Sequence, residues 1–245
     1  MAADELRIAR KKPDMALGNP CAACSIREMS ICAVLDNTEL SRLAAIARTQ
    51  TVSPRQTIID EGEDAKLLFN ITSGAVKLYK LLPDGRRQIT GFLFEGDFLG
   101  IALNEVYAYS AEAISEVTLC RFPRNRFETL IDEFPKLEKQ LLEMASNELV
   151  QAQDQMLLLG RKTAREKVVS FLLSLSRRAR RRGAPPSPVA LPMSRADIAD
   201  YLGLTTETVS RTFTALKGSG VIRLLPGNMV ELPNPESLHD LADSA

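Results

Sequence analysis

Ser194-Arg-Ala-Asp-Ile-Ala-Asp-Tyr-Leu-Gly203-Leu-Thr-Thr-Glu-Thr-Val-Ser-Arg-Thr-Phe-Thr-Ala-Leu-Lys217 is the stretch whose reading decides the fold. Ser194 is placed to cap a helix whose Ile198, Ala199 and Leu202 face inward. Gly203 supplies the tight turn between two helices, and Thr205 or Thr206 caps the second. There Val209, Phe213 and Leu216 recur at i, i+4 and i+7 and predict the buried stripe. Burial of that stripe leaves Glu207, Ser210 and Arg211 on the free face near the amino end, where a recognition helix meets base edges. Arg can bond guanine bidentately and Glu can accept from cytosine N4. Thr206, Thr208 and Lys217 are better placed for phosphates. A helical pair that only packs against another protein would share the spacing, but not these residue types or the charge around them.

That charge is uneven. The chain of 245 residues has a formal net charge of zero, yet 161–230 holds thirteen Lys and Arg against four Asp and Glu, a balance of +9 that leaves −9 elsewhere. A basic segment of this kind is the footprint of a phosphate-binding domain. The run Arg177, Arg178, Arg180, Arg181, Arg182 has two readings, a contact to flanking DNA backbone or a solvated helix end favoured by the dipole; the second is preferred slightly.

Upstream, 52–122 breaks into short β-rich runs, Thr57–Asp60, Leu67–Thr72, Ala75–Leu82, Arg87–Phe94 and Val117–Phe122, separated by Gly-containing turns. That texture predicts an antiparallel sandwich or barrel. Before it, Asn37 and Thr38 are placed to cap a short helix. After it, Pro123 suits the first turn of a helix over Arg124–Phe134, and Pro135 opens a long helix to about Leu159. A long, partly apolar helix without interior Pro or Gly suits a partner helix. Lys162–Arg182 reads as a further helix, and Val221–Leu232 as a hairpin turning at Pro226-Gly227-Asn228. The predicted fold is α+β: an N-terminal β-roll, a long dimerisation helix and a C-terminal winged helix-turn-helix. The expected divisions are a flexible tail 1–19, a sensor segment and roll 20–134, the dimerisation helix 135–160, the DNA-binding domain 161–235 and a tail 236–245.

Cys21-x-x-Cys24-x7-Cys32 puts three thiols within twelve residues, with Cys120 remote in a strand. Strand alternation sets Cys120 opposite the face of Val117 and Leu119, where the amino-terminal segment can fold over it. Persistent disulfides are unusual in the cytosol, so clustered cysteines favour metal or redox chemistry. Four thiolates suit an iron–sulfur cluster; structural zinc and a Cys21–Cys24 redox disulfide stay open on spacing alone. The single histidine, His239, lies far from every cysteine. There is no P-loop, no G-x-G-x-x-G and no Cys–His pair, so an enzyme is not expected. No signal sequence or membrane span is seen, and the expected location is the cytoplasm.

Residues 20–235 resemble the CRP/FNR superfamily. Glu207-x-x-Ser210-Arg211, Cys21-x-x-Cys24-Ser25-Ile26, Gly85-Arg-Arg-Gln-Ile-Thr-Gly91 and Gly96-Asp-Phe-Leu-Gly100 resemble its FNR and FixK branch. The resemblance implies a homodimer on an inverted repeat close to TTGAT–four bases–ATCAA, and a hairpin that touches RNA polymerase. It also implies a [4Fe-4S] cluster on Cys21, Cys24, Cys32 and Cys120. The seven-residue gap before Cys32 is longer than the five of the best-known members, and rhizobial and photosynthetic-bacterial relatives share it. Leu141, Met144, Asp154 and Leu158 are expected at the dimer seam, where facing Asp154 carboxylates repel. Oxygen would degrade the cluster and part the protomers. The genes implied serve anaerobic respiration, microaerobic nitrogen fixation or related metabolism, mostly by activation. The rival within the class is a FixK-like regulator whose thiols answer peroxide or other oxidants without a stable cluster. Cyclic nucleotide is not expected, because 97–116 holds no Arg or Lys to meet a phosphate. Haem is not expected, for want of a sensor-domain His.

Overall fold

A computed structural model describes residues 21, 23–101 and 105–242; the expected tail 1–19 lies outside them, as do residues 243–245. Two four-stranded antiparallel sheets form the roll. The first, in the order β1 (Arg48–Val52), β8 (Val117–Pro123), β3 (Leu67–Ser73), β6 (Phe98–Leu99), packs against the second, β2 (Thr57–Ile59), β7 (Ser110–Ala113), β4 (Val76–Leu81), β5 (Arg87–Leu93). Val52, Ile59, Phe69, Ile71, Val76, Leu99, Val117 and Leu119 fill the space between them. The sequence pattern missed β1, β6 and β7, because Arg48-Thr-Gln-Thr and Ser110-Ala-Glu-Ala carry little apolar alternation.

The first sheet is buried on both faces. Its outer face presents Leu68, Phe98, Cys120 and Phe122 to α1 (Asn37–Ile46), α2 (Arg124–Glu133) and the root of α3 (Pro135–Arg161), which contribute Leu40, Leu43, Phe127 and Leu137. Two short 3-10 turns, Arg27–Met29 and Ile31–Val34, lead into α1. The cap of α1 is Asp36, not Asn37 or Thr38 as expected: its carboxylate accepts from Thr38 N and Glu39 N, and Glu39 returns the bond to Asp36 N. Pro135 begins α3 as expected.

The carboxyl-terminal domain comprises α4 (Ala164–Arg181), α5 (Arg195–Leu202), α6 (Thr206–Gly218) and a three-stranded wing β10 (Arg223–Leu225), β11 (Met229–Glu231), β9 (Val189–Ala190). The wing turns at Gly227 and Asn228, both at positive φ. Residues 236–245, expected to be a tail, instead begin with α7 (Pro235–Ala242), whose Leu238 and Ala242 are buried against α4. Pro235 at its start, Asn234 Oδ1 accepting from Glu236 N and Ser237 N, and apolar Leu238, Leu241 and Ala242 at helical spacing explain it. The domain therefore runs to Ala242. No helix among the described residues is long and apolar enough to cross a membrane.

Candidate functional sites: a DNA-reading helix, a cysteine cavity and the helix between them

In α5, Ser194 caps through its hydroxyl to Asp197 N, and Asp197 answers to Ser194 N. Gly203 ends the helix at φ 62°, where a Cβ would stand 3.2 Å from the side chain of Leu159. The helix-turn-helix angle thus depends on glycine both for its left-handed backbone and for the close approach of α3. Thr205 caps α6, accepting from Thr208 N. Val209, Phe213 and Leu216 are buried as predicted. Thr206, Glu207, Ser210, Arg211 and Lys217 are exposed, and Thr208 is half-buried. Glu207 and Arg211 form an i,i+4 pair at 2.6 Å, which holds the guanidinium along the helix face. Thr214, not singled out from sequence, is exposed one turn beyond Ser210 and bonds Ser210 O.

The four cysteines converge. Cys21, Cys24, Cys32 and Cys120 line one cavity together with Arg27, Leu40, Leu43, Asn70 and Phe122. None of the four is in a disulfide. Three come from the turn-rich segment. Cys120 comes from β8, where it pairs in register with Thr49 on one side and Asn70 on the other. Burial pushes the Cys32 thiol up to about 11 and Cys120 up to about 12, with neighbouring cysteines adding to both; Cys21 is raised for the same reasons. Such thiols ionise only where a cation compensates them.

Two observations test whether an iron–sulfur group suits these residues. The donor set is four thiols that line one cavity, Cys32 and Cys120 standing 88 positions apart in sequence. Asn70 lines the same cavity, and its buried Oδ1 has no hydrogen-bond partner; turned over, the amide would offer N–H donors to acceptor-only sulfur. The cavity itself is about 20 Å³, room for roughly one water. A group larger than a water would need one wall displaced, and the strand wall is held by the β3–β8 ladder. No group of three or more His, Cys, Asp or Glu among the described residues is placed to hold a single metal ion.

The long helix divides its faces differently from the expectation. Leu158 is buried among Val168, Leu172, Ile198 and Leu202 in the core of its own DNA-binding domain, so it is not a seam residue. Leu141 and Met144 are half-buried against the cluster formed by α1, α2 and the cysteine segment. The free apolar stripe is Leu142, Leu149, Val150, Met156 and Leu157, between 53% and 70% exposed. Leu142, Leu149 and Met156 recur every seven residues, the spacing of a coiled-coil seam. Asp154 is exposed and lies at the rim of this stripe, one turn from Val150 and Leu157.

Between the roll and the DNA-binding domain lies a junction that sequence reasoning did not foresee. Lys77 Nζ meets Asp197 Oδ1 and Glu112 Oε1, each at 2.9 Å, with all three side chains largely buried. Arg87 pairs with Asp197 and Asp200, and Gln88 donates to Asp200 O. Ile89 and Phe92 enter the core of the DNA-binding domain, where the ring of Phe92 tilts against Phe171 and Tyr201. The β4–β5 hairpin therefore commits Arg87, Gln88 and Ile89 to its own chain, while its tip, with Leu81 and Leu82 exposed, stays open. The basic run fits neither of its two readings as a whole. Arg178 donates to Phe92 O and pairs with Asp97, and Arg178 and Arg182 both stack on the ring of Phe94, while Arg177, Arg180 and Arg181 are exposed.

Comparison with known proteins agrees with this architecture. Residues 49–134 match the cyclic nucleotide-binding domain family, and residues 166–241 match the Crp-like helix-turn-helix domain family. The nitrogen fixation regulation protein FixK of Bradyrhizobium diazoefficiens is 44% identical over 225 residues, covering 92% of this chain and 94% of the relative. The fumarate and nitrate reduction regulatory protein of Escherichia coli K12 is 34% identical over 241 residues, covering 97% and 96%. The solved structure of FixK2 from Bradyrhizobium japonicum superposes with a TM-score of 0.76 at 39% identity, covering 82% of this chain and 99% of that one. With a β-roll, a long helix and a winged helix-turn-helix in that order, the chain belongs to the CRP/FNR family of DNA-binding transcription regulators, in its FNR and FixK branch.

Proposed function

We propose that this regulator is an oxygen-responsive activator whose [4Fe-4S] cluster, held by Cys21, Cys24, Cys32 and Cys120, licenses DNA binding as a homodimer. The observation that carries the reading is the convergence of four cysteines, one of them remote in sequence, on a single cavity against the root of α3. The site read is an inverted repeat of the TTGAT–four bases–ATCAA kind. Glu207, Ser210 and Arg211 meet base edges, and Thr206, Thr208 and Lys217 meet phosphates. Pairing runs through the free stripe of α3, with Asp154 at its rim weakening the dimer until the cluster braces it. RNA polymerase meets the open tip of the β4–β5 hairpin. The genes served are those of anaerobic or microaerobic metabolism, nitrogen fixation among them, and the protein works in the cytoplasm.

Cyclic nucleotide has no part in this reading. The interior of the roll is filled by apolar side chains, and 97–116 supplies no cation for a phosphate.

The test is iron and sulfide analysis of protein purified without oxygen, together with titration of a duplex carrying the inverted repeat. The expected result is bound iron and sulfide, DNA binding that falls on aeration, and loss of both cluster and binding in Cys120→Ser. A Cys120→Ser protein that binds the repeat like the parent and still answers to air overturns the reading.

A further inference from the structure

We infer that Asn70 donates a hydrogen bond to a sulfur of the iron–sulfur group and thereby sets how readily that group is oxidised, an inference that rests on the cluster reading above. Asn70 sits in the middle of β3 at 2% exposure, flanked by buried Leu68, Phe69 and Ile71. Asparagine is disfavoured in strand interiors, and an aliphatic side chain would fill the position with no polar atom to satisfy. Alternation along β3 sends Phe69 and Ile71 into the roll and puts Asn70 with Leu68 on the outer face, toward the cysteine segment. The ladder sets Asn70 opposite Cys120, so the two side chains stand side by side on one wall of the cavity.

The amide is the one buried side-chain group among the described residues with an unpartnered atom. Its oxygen and nitrogen exchange places by a half turn, and the nitrogen then offers two N–H donors to the cavity. Thiolate and inorganic sulfide are acceptors only. Arg27, the cation on the cavity wall, is bound to Leu35 O at 2.9 Å, which leaves Asn70 as the neutral donor beside Cys120. A donor to sulfur withdraws electron density from the cluster and raises its reduction potential, so the group resists oxidation.

The experiment uses full-length protein with its cluster, comparing the parent with Asn70→Leu and Asn70→Asp, each close to the parent in size. Reduction potential, the rate at which the visible iron–sulfur absorbance bleaches in air, and the thermal midpoint of cluster-free protein are read for each. The expected result is a lower potential and bleaching about five-fold faster in Asn70→Leu, the factor for one lost hydrogen bond. Asp in place of Asn changes potential and bleaching in the same direction, and cluster-free Asn70→Leu is at least as heat-stable as the parent. If both variants hold their cluster with the parent's potential and bleaching rate, Asn70 is structural only and the inference is overturned. If the parent itself takes up no iron and sulfide, the cluster reading fails first and this inference falls with it.

Discussion

Lys77 Nζ lies 2.9 Å from Asp197 Oδ1, a buried pair that joins a strand of the roll to the first helix of the helix-turn-helix across 120 residues of sequence. Glu112 meets the same ammonium at 2.9 Å. A buried ion pair adds little net stability, but removing one partner strands the others in low dielectric. Lys77→Met therefore leaves Glu112 unmatched and Asp197 with Arg87 alone as a cation, at 3.3 Å, and is expected to destabilise the protein by about 3–5 kcal/mol. Denaturant unfolding of the single variant against Lys77→Met/Asp197→Asn/Glu112→Gln checks this, since the triple variant recovers most of the loss.

The same pair sets a pH dependence. Burial alone would raise Asp197, but hydrogen bonds from Ser194 and Lys77 outweigh it and hold the carboxyl below its usual value. A depressed carboxylate stabilises fully above its unfolded value of about 4 and loses that contribution as pH falls through the lower folded value. Thermal midpoints of the parent are expected to drop in strong acid, with a flatter acid limb in Asp197→Asn.

The two faces of the long helix give opposite outcomes. Leu149→Arg, on the free stripe, is expected to leave the protomer folded and to abolish pairing, seen as a monomer in sedimentation. Leu158→Ala opens a cavity inside the DNA-binding domain and is expected to cost about 2–4 kcal/mol in folding stability. A monomeric Leu158→Ala protein with unchanged stability would show that the faces have been assigned the wrong way round.

On α6, the proposed base and phosphate contacts would separate by salt. Arg211→Ala is expected to cost about 1–3 kcal/mol on the preferred repeat and to relax discrimination at one base pair. Lys217→Ala weakens all duplexes alike and lowers the salt slope by about one ion. Fluorescence anisotropy over a salt series distinguishes them.

What the sequence disclosed follows from how local each signal is. The helix-turn-helix was legible because caps at Ser194 and Thr205, the turn at Gly203 and the stripe of Val209, Phe213 and Leu216 all lie within one short window. The strands with strong alternation were legible for the same reason. The side of α3 that faces solvent was not: Leu141, Met144 and Leu158 are as apolar as Leu142, Leu149 and Leu157, and only the packing of distant helices separates the two sets. Nor could a run of arginines announce that Arg178 and Arg182 stack on Phe94, which stands more than eighty residues away. Asn70 read as one polar letter in a strand until the β3–β8 ladder set it beside Cys120. The helix at Pro235–Ala242 was within reach, since Asn234 and Pro235 are a start signal.

Leu137 and Leu158 stand at opposite ends of one continuous helix, the first in the packing beneath the cysteines and the second in the packing beneath the recognition helix. That rod of 27 residues spans about 40 Å. A tilt of about 5° at its root would carry the far end about 3–4 Å sideways, close to the rise of one base pair. In the proposed dimer, a small rearrangement where the thiols gather would thereby be geared up into a misfit between two reading heads and the pitch of the duplex, with no need for either head to change its own shape.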